Sequence, residues 1–404
     1  MKRITGVLAV PILAGTLVAC AANSGTEDVV TVSSTVIGEA AAAAAESDVV
    51  EKVETVHVDA DRTYSLSDGE DIIIDAAGVY EISGTSENSV IIVDAGDEDE
   101  VTIVLSGVSM TNADMPCINV KNAEKVTVKT EEGTVNRLVV SGEFSEDDES
   151  GDAVVYSKDD LVFDGDGTLV VGSSSNAIQS NDDLKIKGGT YEIDCVKSAL
   201  KAHDEIKIEN GSITINSCYD GIHAEDNDDD AKGSILITGG TIIINAEDDA
   251  FHATTTVQID DGTLTLTGAE CIEGTQITIN GGDVDITASD DGINAAAKSS
   301  ALTPVYEQNG GNITVKMGGG DTDGVDSNGN IYINGGTIDI TGQSTFDCDG
   351  ESKYIGGTII ENGRETNTIT NQVMGGHGGG RMFAPDGEMP SGEQRGRRGS
   401  RLGQ

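Results

Sequence analysis

From Leu161 to about Ile360 apolar and polar residues alternate in short bursts, and the bursts recur on one plan. Each unit reads apolar-x-apolar, a turn containing Gly, apolar-x-apolar, a short loop, and a tight segment in which one apolar residue stands among small ones. The turn Gly falls at Gly167, Gly189, Gly211, Gly240, Gly262, Gly282, Gly311, Gly336 and Gly357, a period of about 22 residues with longer steps where loops are inserted. Alternation at period two predicts strands, and no 3.6-residue face is sustained that would predict a helix.

The tight segment is the most regular. Its apolar anchors are Ile178, Leu200, Ile222, Phe251, Ile272, Ile293, Val325 and Phe346. The residue before each anchor and the residue two after it are nearly always Gly, Ala, Ser, Thr or Cys. A position that accepts only small side chains in every unit predicts a stack of equivalent sites one strand spacing apart. Three short strands and three turns per unit predict an all-β fold, a single-stranded parallel β-helix. The repeat leaves its hand open, although crossovers between parallel strands are overwhelmingly right-handed. The nonapeptide calcium-roll repeat is absent.

Outside the repeat the pattern loosens. Residues 53–160 hold strand-like runs at Val90–Val93, Val101–Leu105, Val126–Val128 and Leu138–Val140, with degenerate anchors at Cys117–Val120 and Ala153–Ser157. They read as a cap and irregular first coils of one domain spanning 53–372. Residues 20–52, rich in Ala, Ser and Thr, read as a linker, and 373–404, rich in Gly and Arg, as a disordered tail. At the start, Lys2 and Arg3, the apolar run Ile4–Thr16 and Leu17-Val18-Ala19-Cys20 resemble a bacterial lipoprotein signal. Residues 1–19 would then be removed, Cys20 lipidated, and the protein anchored at the outer face of the cell membrane by lipid alone. An ordinary cleaved signal peptide is the alternative.

Charge narrows the partners. Across 404 residues, 71 Asp and Glu face 24 Lys and Arg, a net charge of −47, which argues against unaided nucleic-acid binding and points to cations. Trp is absent and aromatic residues make up 3%, so the core must come from β-branched layers. The five remaining cysteines, Cys117, Cys195, Cys218, Cys271 and Cys348, are odd in number and occupy small interior positions, which predicts buried free thiols.

The acids are not scattered. Two before successive anchors stand Asp220, Asp249, Glu270, Asp291 and Asp323, joined by Asp248, Asp290 and Asp321, while just after the anchors stand Lys201, His223, His252, Glu273, Asn294, Asp326 and Asp347. Like charges about 4.8 Å apart repel by about 1 kcal/mol in water and by about 3–4 kcal/mol at an effective dielectric near 20, so such a ladder calls for a counter-ion. Calcium, which takes six to eight oxygens at irregular angles, suits it, and Asp220, Asp248, Asp249, Glu270, Asp290, Asp291, Asp321, Asp323 and Asp326 are the candidate ligands. A solvated acidic face is the alternative. The loop Glu225–Asp230 is a second acidic cluster. His223 and His252, stacked beside Asp220 and Asp249, resemble a transition-metal pair, but with two His and no aligned Cys zinc is the weaker reading.

The runs Asp220-Gly221-Ile222-His223-Ala224, Asp248-Asp249-Ala250-Phe251-His252-Ala253 and Asp290-Asp291-Gly292-Ile293-Asn294-Ala295, alternating with Gly-Gly-Thr-Ile turns, resemble the secreted carbohydrate-binding-domain-containing proteins. So do Gly78–Gly84, Val101–Val108 and Gly133–Leu138. The resemblance covers roughly residues 60–365 and implies a right-handed β-helix, similar in architecture to pectate lyases, that binds calcium and acidic plant cell-wall polysaccharide such as polygalacturonate. Lys201, His223 and His252 would then contact the saccharide. Two alternatives stay open. One is a calcium-dependent polysaccharide lyase, which needs a base such as Lys201 or His223 to remove the proton beside a uronate carboxylate. The other is a structural surface adhesin.

Overall fold

Every coil is threaded by the same three apolar columns. In the computed structural model, which describes residues 54–57, 61–145, 151–226, 228–319 and 322–371, strands follow one another in threes. Leu184–Ile186, Thr190–Asp194 and Ser198–Ala202 form one coil, and Glu205–Ile208, Ser212–Cys218 and Asp220–Ala224 form the next. Equivalent strands of neighbouring coils pair in parallel, so the chain builds three stacks of strands, and the described residues contain no helix. All of them fall in one compact unit, residues 48–404.

The anchors align as one column. Ile178 pairs with Leu200, then Ile222, Phe251, Ile272, Ile293, Val325 and Phe346, each fully buried. Removing one such side chain from water contributes roughly 1.5–3 kcal/mol, and the column repeats that gain at every coil. The column also runs backward through Val155, Ile118, Ile91 and Ile72. The irregular region before residue 160 therefore contains coils in register with the rest. Glu100–Asn112 differs by running through two stacks: its first half pairs with Lys125–Thr130 and its second with Val135–Val140.

The small residues before the anchors have a steric cause. A Cβ on Gly221 would stand 2.5 Å from the Ala250 carbonyl oxygen and 2.7 Å from Ile244 Cγ2, and one on Gly324 would stand 2.4 Å from Ile340 Cγ2. The turn glycines from Gly189 to Gly357 have φ between +75° and +126°, a region open to Gly at little cost. The first turn is the exception, since the positive φ there belongs to Gly165 rather than to Gly167. At the far end, Thr358–Glu361 is covered by the antiparallel strand Arg364–Thr366, and Asn371 bridges Phe346, which closes strand edges that would otherwise invite pairing. All five predicted thiols are buried and free.

Cys20, the linker, the Gly/Arg tail and Asp321 lie outside the described residues.

Candidate functional site

The outward face of the anchor stack carries the predicted site residues. In each strand the residue after the anchor points away from the core, so Gln179, Lys201, His223, His252, Glu273, Asn294, Asp326 and Asp347 form a continuous row in register. The residues two before the anchors flank it. Two insertions in the repeat border this row, Glu225–Gly233 after His223 and Ala296–Pro304 after Asn294, and they meet where the Ser300 amide donates to Asp230 at 2.8 Å. These loops bring Glu225 and Lys298 to the histidines.

Side chains divide the acidic ladder into two halves. In the first, His223 Nδ1 lies 2.8 Å from Asp220 Oδ2 and His252 Nδ1 lies 2.6 Å from Asp249 Oδ2. Glu225 Oε2 reaches His223 Nε2 at 3.2 Å, Glu273 Oε2 reaches His252 Nδ1 at 3.0 Å, and Lys298 Nζ lies 2.7 Å from Glu273 Oε2. The two imidazoles stack with centroids 4.5 Å apart and planes 2° from parallel. Burial on its own would lower the His252 pKa, but hydrogen bonds to Asp249 and Glu273 outweigh it and hold the ring up at about 10. His223 is raised in the same way, and it holds Glu225 down at about 2. Burial raises Glu273, yet His252 and Lys298 bring it below its ordinary value. Tyr219, half exposed, completes a cleft of about 280 Å³ over these groups.

The second half has no such partners. Burial, reinforced by neighbouring carboxylates, pushes Asp326 up to about 7 beside Asp291, Asp347, Asp323 and Asp349. Asp291 rises to about 6 and Glu270 to about 7 for the same reasons, although Asp291 accepts the Asp323 amide at 2.9 Å and Glu270 accepts the Asn294 side-chain amide at 2.8 Å. Among the described residues no Lys or Arg ion pair reaches Asp291, Asp326 or Asp347.

The predicted residues thus separate. Asp220 and Asp249 are bonded to histidines, Asp248 and Glu270 line the cleft, Asp291, Asp323 and Asp326 gather at the other end, and Asp290 is exposed in the outer turn. Lys201 stands in register with His223. The acidic loop is tied up locally: Asp226 accepts the Asp228 amide and Asp230 accepts that of Ser300. Lys298 was missed in the sequence, because nothing local marks a lysine 25 residues after Glu273 as its partner.

A profile described as "Carbohydrate-binding domain-containing protein" matches residues 68–319. The chain belongs to this family. A carbohydrate-binding domain-containing protein of Acetivibrio thermocellus is 37% identical over 142 residues, which are 34% of this chain and 49% of the relative. The chain therefore spans about half the length of the curated relative it matches. It is also similar to a solved structure titled "Structure of the polysaccharide lyase-like protein from C. thermocellum, Gadolinium derivative", with 33% identity and a TM-score of 0.46 over 53% of this chain and 84% of that one. The carbohydrate-binding domain match takes in both histidines, Lys298, Glu270 and Asp291, and ends before Asp323 and Asp326.

Proposed function

We propose that the outward face of the anchor stack binds acidic cell-wall polysaccharide such as polygalacturonate, with calcium bridging the carboxylates of protein and polymer. The family supplies carbohydrate as the partner class, and the charges supply its acidity and the ion. The observation that carries the reading is the division of the ladder. Glu270, Asp291 and Asp326 present acids with raised pKa, no Lys or Arg ion pair reaches Asp291 or Asp326 among the described residues, and Asn294, in register with Asp326, buries an Oδ1 that has no hydrogen-bond partner. Carboxylates joined by an orphaned amide oxygen are the donor set that suits calcium. The other half, Lys201, His223 and His252, offers positive charge to uronate carboxylates directly.

Other parts of the reading extend beyond this face. The coil is taken as right-handed, following the general preference of parallel crossovers. Cys20 is taken as the lipidated residue that holds the domain at the outer face of the cell membrane.

Binding is preferred here to cleavage. A lyase needs a base free to accept a proton. His223 and His252 are held by carboxylates that favour their protonated forms, and Lys298 is committed to Glu273. Calcium titration of the full chain and of Asp291→Asn/Asp326→Asn by calorimetry tests the assignment: the natural chain should bind calcium and the variant should lose the tightest site. Equal isotherms would contradict it.

A further inference from the structure

We propose that His223, His252 and Glu225 form a zinc site, distinct from the oxygen-rich cluster assigned to calcium. The argument starts from the buried aspartates. Asp220 is 7% exposed and Asp249 is 5% exposed, and each takes the Nδ1 of the histidine three residues later. With Nδ1 committed, Nε2 is the ring atom left to bind a metal, which is the carboxylate–histidine relay that orients metal-bound imidazoles. The relay occurs twice, in adjacent coils and in register. The rings are parallel to within 2° and each is pinned through Nδ1 to the aspartate three residues earlier, so the two imidazoles are presented in equivalent orientation one coil apart.

Glu225 supplies the third ligand, which the sequence pattern lacked. Its Oε2 lies 3.2 Å from His223 Nε2, and one ligand atom from each of the three residues lies within 4.8 Å of the others. Tetrahedral zinc with bonds of about 2.0–2.1 Å brings its ligand atoms closer than that, so the rings splay slightly until their Nε2 edges converge, while Nδ1 stays on its carboxylate. Zinc takes the place of two Nε2 protons, the one shared between His223 and Glu225 and the one on His252, and both leave to solvent. Two imidazoles and one carboxylate with a fourth position open to the cleft suit zinc, whereas calcium would find a single oxygen donor. Glu273 is not needed, since Lys298 and His252 already engage it. The inference stands whether or not the face binds saccharide.

The test uses the full chain, saturated with calcium, equilibrated with zinc chloride, desalted and assayed for zinc, with affinity measured against a chromophoric chelator. One zinc per chain is expected, and cobalt substituted for it should show the intense visible absorption of a four-coordinate site. Glu225→Gln should weaken zinc at least tenfold, and Asp249→Asn, one bond removed, by about 10–100-fold. His223→Gln/His252→Gln should lose the zinc, while His203→Gln should keep it. Cooperative melting of each variant without zinc separates lost ligands from lost fold, and Glu225→Gln, at a half-buried position, serves should the double variant unfold. No zinc retained by the natural chain, unchanged affinity in Glu225→Gln, or equal zinc in a folded double variant would overturn the proposal.

Discussion

His223 and His252 lie face to face across one coil step, ring centroids 4.5 Å apart, each held by an aspartate three residues earlier. Register makes this contact unavoidable. Once Ile222 and Phe251 stack in the core, the residues after them must stack outside. The same rule places Glu273 and Asn294 next in the row, so the order of charges across coils follows from the order of residues along the chain.

Lys298→Met should destabilise the protein by about 1–3 kcal/mol, because Glu273, 7% exposed at the side chain, would keep only His252 as a charged partner. Lys298 is itself 36% exposed at the side chain, which places the effect toward the lower end. Denaturant unfolding measures it. Adding Glu273→Gln should recover part of the loss, and a double variant no better than the single one would contradict the pairing.

Stability without calcium should fall as pH rises from about 5 to 8. Glu270 and Asp326 have folded pKa values of about 7 and Asp291 of about 6, all above their unfolded values, so between those limits the folded state holds protons that the unfolded state has released. Their contribution is greatest below the unfolded values and is lost as pH rises through the folded ones. His252, raised from 6.5 to about 10, adds stability that is likewise lost as pH rises. Glu225, lowered to about 2, has the opposite sign and costs stability only below its unfolded value of 4.5. Thermal melting in chelator across this range checks the slope, and calcium should flatten it. A melting temperature that rises with pH in chelator would contradict these signs.

Asp291→Asn/Asp326→Asn should act in opposite directions in two buffers. In chelator it relieves repulsion and should leave the melting temperature unchanged or higher. In calcium it should remove most of the ion's stabilisation, since a ligand stabilises only as far as it binds the folded state. A loss of the same size in both buffers would instead mean a purely structural role.

Gly221→Ala should cost about 1–3 kcal/mol, because the added methyl meets the Ala250 carbonyl and Ile244 in a core with no room to yield. Gly107→Ala has open space around its Cβ but φ of +75°, so it should cost less, about 1 kcal/mol of backbone strain. Urea midpoints for the two variants test the order.

The fold was legible because a solenoid repeats its instructions. The column from Ile178 to Phe346, with its small neighbours, could be read without any structure, and so could the aspartates three before His223 and His252. The coils before residue 160 were harder, since Glu100–Asn112 runs unbroken through two stacks and blurs the period. The positive φ of the first turn falls at Gly165, two residues before the expected Gly167, where the backbone packs against Thr130 of the preceding coil. In the site, ladder membership was visible but pairing was not. Lys298 and Glu225 arrive on inserted loops, whose direction depends on contacts such as Ser300 with Asp230 rather than on the period. An acidic stripe that looked uniform therefore divides into a half joined to cations and a half without them.

The measurement that most directly tests the central claim is co-sedimentation of the protein with insoluble polygalacturonate, in calcium and in chelator, with unsaturated sugar ends read in the supernatant. Retention in calcium alone, with no product released, is the predicted result. Retention that ignores chelator, no retention in either buffer, or release of unsaturated product would contradict calcium-bridged binding by this face.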